Sequence, residues 1–201
     1  MEVLPCHPRY RDKAMTYTDR NPSGQATLST HLIRSVDDAD VLMESVVSSA
    51  GRAVDWVMTH DGQPLDLLRR IKFETVGFHP VDGHALNLIE QVNQTWTYVA
   101  AIAAVRHLLA LHPEAGGFRV APGAHMSQPL DVMSVAEGLV GAETCAVVHP
   151  MNNRKVRKDV TKLARRPELH RYAFFMCPLF PGTLRRPQFE SDGVQVWSVD
   201  V

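Results

Sequence analysis

The chain has little that could fasten it from outside its own core. Three cysteines, Cys6, Cys145 and Cys177, are spread over 201 residues with no CxxC pair. An odd number at such spacing excludes a disulfide framework and a cysteine-rich zinc site, and it points to a reducing compartment. Long apolar runs are missing too. The most apolar stretch, Val99 to Leu111, carries Arg106 and His107 and is too short to cross a bilayer. The opening MEVLPCHPRYRDK lacks the apolar segment of a secretory signal, so a cytoplasmic location and no membrane partner are expected. No charge of one sign dominates: the formal net charge is −1, so a basic surface has to be local. The chain holds no GxGxxG, Walker A, GxSxG or HExxH, and its ten histidines are scattered, which argues against a zinc hydrolase.

Hydrophobic residues make up 45% and charged residues 21%, ordinary proportions for a globular protein of this length. Residues 1–34 read as an irregular arm, rich in Pro, Arg, Thr, Ser and Asn near its start. Residues 35–84 read as a helical extension. A helix opens at the acidic Val36-Asp37-Asp38-Ala39-Asp40 and runs to about His60, with Val41, Met43, Val46, Val47, Ala50, Val54, Val57 and Met58 as its buried set. A shorter helix opens at Pro64. Residues 85–201 read as the core. Ala85 to Leu111 contains neither Gly nor Pro and predicts a long helix, ended by His112-Pro113. Strands are predicted at Phe118–Ala121, Leu130–Val135, Ala142–Val148, Arg171–Cys177 and Gly193–Val201. A helix between the third and fourth of these starts at an Asn152 or Asn153 cap. The fold class expected is α/β, a small mixed sheet flanked by helices.

Two carboxylates stand out. If the link around Ala136-Glu137-Gly138 is a hairpin turn, Asp131 and Glu143 face each other on adjacent strands. Like charges so placed destabilise a sheet unless a cation or a proton offsets them, or unless the register slips by one residue and sends the two acids to opposite faces. A hard divalent ion is the usual solution, and the two carboxylates are then expected within about 6 Å of each other.

The order helix, strand with Asp131, strand with Glu143, helix resembles the PD-(D/E)xK nuclease-like (restriction-endonuclease-like) superfamily across roughly half of the chain. The resemblance implies a metal site of Glu90 on the long helix, Asp131 and Glu143, with Mg²⁺ or Mn²⁺ as cofactor. Pro129 stands two residues before Asp131, where the family has it adjacent. The segment Glu143-Thr144-Cys145 puts cysteine where the family has its catalytic lysine. A thiol cannot carry that positive charge. Lys155, in the following helix, is the expected substitute.

The same helix, NNRKVRKDVTKLARR, is the local basic surface. Val156, Val160 and Leu163 form its apolar stripe. Arg154, Lys158, Lys162 and Arg165 are the expected contacts to a nucleic-acid backbone, although a merely solvated face is an equal alternative. Two functions follow. One is a metal-dependent phosphodiesterase acting on DNA or RNA. The other is a catalytically degenerate nuclease-like fold that binds nucleic acid or serves as an interaction subunit. A homodimer or a partner subunit remains an open form of assembly.

Overall fold

The computed structural model describes residues 30–122 and 128–201 of the chain. Most of the arm expected at 1–34 therefore lies outside the described residues. The fold is mixed α/β. The elements are β1 (His31–Ile33), α1 (Val36–Met58), α2 (Pro64–Phe73), β2 (Gly77–Phe78), β3 (Ala85–Leu86), α3 (Leu88–Leu111), β4 (Phe118–Val120), β5 (Val132–Ser134), β6 (Val140–Ala146), α4 (Lys155–Leu163), β7 (His170–Met176), β8 (Leu184–Arg185) and β9 (Gln195–Ser198).

Seven strands form one sheet in the order β1-β4-β5-β6-β7-β9-β8, and β2 and β3 form a separate hairpin. The sheet changes character at β6. On one side β1, β4, β5 and β6 pair antiparallel. On the other, β6, β7 and β9 pair parallel, and β8 closes the edge antiparallel to β9. Parallel neighbours need a crossover, and α4 supplies it between β6 and β7.

Both faces of the sheet are covered. Along β7, Tyr172 and Phe174 point into the core under α1 and α3, while Ala173 and Phe175 point into the core under α4. A strand buried on both faces reads as a continuous apolar run, which is why RYAFFMC was legible as a strand. In α4, Val156, Val160 and Leu163 are buried as their spacing predicts.

The structure corrects several expectations. In α1 the buried residues are Ala39, Leu42, Val46 and Ser49, while Val41, Val47, Val54 and Met58 are exposed. Only one stripe of this helix faces α3, and the apolar residues outside it meet solvent. Its start matches the acidic signal, with Ser35 and Asp38 forming a reciprocal capping box. Residues 31–33, assigned to the arm, form an edge strand on β4. Ala85 and Leu86 belong to β3, because the Asn87 side chain accepts the Glu90 backbone N–H and starts α3 one residue later. No asparagine side chain caps α4. Asn152–Arg154 form a 3₁₀ turn, with Asn153 and Arg154 at φ of 52° and 55°. Two successive left-handed residues turn the chain sharply so that α4 starts at Lys155.

Candidate active site

The register of β5 and β6 pairs Val132 with Ala142 and Met133 with Gly141. Continued by one residue, it sets Asp131 opposite Glu143. Asp131 and Glu143 are both buried, at 7% and 4% exposure. Both line a cavity of about 1030 Å³ at the C-terminal ends of β6 and β7. This is where an α/β sheet is open for ligands, because the loops leave the strands there and the flanking helices diverge. From α3 the cavity receives Asn93, Trp96 and Thr97, and from α4 Lys155 and Lys162.

Each carboxylate is held. Asp131 Oδ2 accepts hydrogen bonds from the Thr144 backbone N–H at 2.8 Å and from Thr144 Oγ1 at 3.1 Å. Glu143 Oε1 accepts one from Lys162 Nζ at 2.6 Å. Burial and the negative charge of Asp131 push the Glu143 carboxyl up to about 7, although Lys162 pulls it back. Lys155 Nζ donates to Asp159 Oδ1 at 2.5 Å. Burial also pushes Asp159 up, against the pull of Lys155. Burial disfavours the Lys155 ammonium, yet the hydrogen bond and charge of Asp159 outweigh it and hold that amine above its ordinary value.

The expected residues divide. Asp131, Glu143, Lys155 and Lys162 all line the cavity. Glu90 is exposed in the first turn of α3 and is not among the lining residues. It lies about one turn before Asn93, so the helix presents an amide, a hydroxyl and an indole to the cavity. Arg154, Lys158 and Arg165 are exposed on and around α4. Lys162, expected on the nucleic-acid face, instead contacts Glu143. Sequence reasoning missed Asp159 as a site neighbour, although its spacing of four from Lys155 on one helix is the signal that could have found it.

Cys145 is a buried strand residue. Burial, then Asp159, pushes its thiol well above the ordinary range, which disfavours the reactive thiolate. His149 Nδ1 accepts the Met151 N–H at 3.1 Å and caps the turn before α4. At Gly141 an added Cβ would lie 2.5 Å from Leu130 Cδ1 and 3.0 Å from Glu168 Cγ. A glycine there lets the buried Glu168, paired to Arg166 at 2.7 Å, pack over β6. No protein-family model, curated protein or solved structure matches the chain.

The raised Glu143 has a measurable consequence. Its folded-state value lies above the ordinary 4.5, so the native state holds this proton more tightly than the unfolded chain does. That contribution to stability is full below pH 4.5 and is lost as pH rises through about 7. Glutamine mimics the protonated acid, and the half-exposed Lys162 loses little when its partner is neutral. In metal-free buffer Glu143→Gln is expected to stay within about 1 kcal/mol of the parent at pH 5. At pH 8 it should exceed it by about 2 kcal/mol, or roughly 4–8 °C in Tm. Thermal denaturation at both pH values checks this, and a variant less stable than its parent at pH 8 contradicts it.

Proposed function

We propose that the chain is a divalent-cation-dependent phosphodiesterase of nuclease-like type, with Asp131 and Glu143 as the metal carboxylates and amines from α4 beside them. The observation that carries this reading is the pair of buried carboxylates, Asp131 immediately before β5 and Glu143 on β6, at the head of an open cavity reached by Lys162. The order α3-β4-β5-β6-α4-β7, antiparallel through β6 and parallel afterwards, supports the nuclease-like resemblance.

The residues fit a hard cation. Their donors are carboxylate oxygens, and Glu143 is destabilised as an anion because Asp131 stands beside it. Mg²⁺ or Mn²⁺, when bound, supplies Lewis-acid stabilisation of a phosphoryl oxygen. The chain's own groups do the rest. Asp131 and Glu143 would hold the cation, with Thr144 fixing the Asp131 carboxylate. Lys162 offers positive charge to a phosphate oxygen in place of the lysine that Cys145 displaces. The exposed Arg154, Lys158 and Arg165 supply electrostatic affinity for a DNA or RNA backbone, whose polyanion they neutralise in part.

The test is cleavage of duplex DNA, single-stranded DNA and RNA with millimolar Mg²⁺ or Mn²⁺. Expected is cleavage by the parent that chelation stops and Asp131→Asn removes. Cysteine at the motif's lysine position favours the second reading, a binding module. A parent that binds nucleic acid in a salt-dependent way but cuts none of the three would establish that reading instead. A parent that neither cuts nor binds overturns both.

A further inference from the structure

The β2–β3 hairpin carries a second group of chemistry-bearing side chains that the proposed cleavage reaction does not use. Its loop reads His79-Pro80-Val81-Asp82-Gly83-His84. The loop is closed by its own backbone: His79 N donates to His84 O at 2.7 Å, and Gly83 N donates to His79 O at 3.1 Å. Gly83 sits at φ of 73°, a left-handed conformation that glycine adopts without strain. The hairpin is also fastened from below, because Phe78 N donates to the buried Gln91 Oε1 of α3 at 3.0 Å.

This closure brings His79, Asp82 and His84 together. One ligand atom from each lies within 4.8 Å of the other two. His79 Nδ1 is 3.5 Å and His84 Nδ1 is 3.9 Å from Asp82 Oδ2. The two imidazoles stack at 4.7 Å with 15° between their planes. His79 is 4% exposed, and the Asp82 side chain is 14% exposed. His84 Nδ1 is buried and has no hydrogen-bond partner among the described residues. A buried ring nitrogen without a partner costs stability unless something fills that role.

We propose that His79, Asp82 and His84 form a transition-metal site of the zinc class, separate from the carboxylate pair in the cavity. In a tetrahedral site with bonds of 2.0–2.1 Å, neighbouring ligand atoms stand about 3.4 Å apart. The two histidine–aspartate spacings, 3.5 and 3.9 Å, need to contract by at most about half an ångström, and the two imidazoles, whose ligand atoms lie within 4.8 Å of each other, close on the ion by side-chain rotation. Two imidazoles and one carboxylate select Zn²⁺, Co²⁺ or Ni²⁺ over Mg²⁺, which prefers oxygen ligands alone. Water supplies the fourth position of such a three-ligand set. The expected affinity is moderate. His79 Nδ1 accepts the Asp82 N–H at 3.1 Å and, more distantly, the Val81 N–H at 3.4 Å. Ligation through that nitrogen exchanges these contacts for a metal bond. The consequence is mechanical. His79 packs edge-on against Tyr98 of α3, with ring centroids 5.4 Å apart, so a bound ion locks the hairpin onto the helix that also lines the cavity.

The test is titration of the metal-stripped full chain with Zn²⁺ by calorimetry, repeated with Co²⁺ by visible absorption and with Mg²⁺ as control. One equivalent of Zn²⁺ is expected to bind with Kd on the order of 10 µM. A Co²⁺ spectrum of low-coordinate type should appear, and excess Mg²⁺ should not compete. His84→Ala and Asp82→Asn should each weaken binding roughly tenfold or more. His84 is partly exposed, so the variant is expected to fold, which circular dichroism checks. Glu143→Gln and His149→Ala should leave Zn²⁺ binding unchanged, and this separates the site from the cavity and from adventitious surface histidines. No saturable binding below about 1 mM, or equal binding by parent, His84→Ala and Asp82→Asn, overturns the proposal. Neither result depends on whether the cavity cleaves a phosphodiester.

Discussion

Lys162→Ala is expected to lower Mg²⁺-dependent cleavage by about 10²–10³-fold in kcat while KM changes little. Lys162 donates directly to Glu143, whereas Lys155, the amine expected from sequence, is engaged by Asp159. The half-exposed Lys162 side chain can be truncated without opening the core. Its removal also withdraws the charge that pulls Glu143 down, so the Glu143 carboxyl rises further. The acid limb of the pH–rate profile should therefore move to higher pH in Lys162→Ala, and Lys162→Arg should reverse part of the shift because it restores the charge. Lys155→Ala is a different lesion. It strands the buried Asp159, so lost stability accompanies lost cleavage. Single-turnover rates across pH, beside thermal denaturation, distinguish the two. If Lys162→Ala cuts at the parental rate while a fully folded Lys155→Ala does not, the amine belongs to Lys155. The prediction presupposes the phosphodiesterase reading.

Gln91→Ala should destabilise the protein by about 3 kcal/mol and lower Tm by roughly 6–12 °C. Gln91 is 1% exposed and joins three elements. Its Nε2 donates to Ser49 O at 2.9 Å and to Ser49 Oγ at 3.0 Å on α1, and its Oε1 accepts from Phe78 N of β2. Alanine leaves these groups unsatisfied in a buried place and opens a cavity as well. Gly77 belongs to the same joint, since any side chain there would run into Gln91 Oε1. Denaturant unfolding measures the loss. A change under about 1 kcal/mol would mean that this hydrogen-bonded joint is not what holds α1 to α3.

Elements with a strong period or an obligatory breaker were legible in the sequence. The apolar stripe of α4, the proline that opens α2 and the two-faced apolar run of β7 could all be read directly. So could the β5–β6 register, because a turn centred near Glu137 sets residues 132 and 133 opposite 142 and 141, as they are found. Other features were not legible, for physical reasons. The edge strand β1 and the short β8 are only a few residues long and are specified by their neighbours. Val41, Val47 and Val54 belong to the same apolar pattern as Val46, and only the position of α3 decides which of them is covered. Glu90 matched the expected acid by element but not by turn. The pairing of Lys162 with Glu143 depends on how α4 lies across β6, which its spacing alone does not fix.

The left-handed turn at Asn153 and Arg154 bears on how the site comes together. Glu143, Lys155, Asp159 and Lys162 belong to one uninterrupted β6–α4 stretch, and that turn folds the helix back beside its own strand. Asp131 joins through the neighbouring hairpin. Contacts between groups so near in sequence require only short loops to close, whereas docking of α1 onto α3 spans a much longer separation. The charged centre can therefore assemble early, as a local event, before the N-terminal helices find their places.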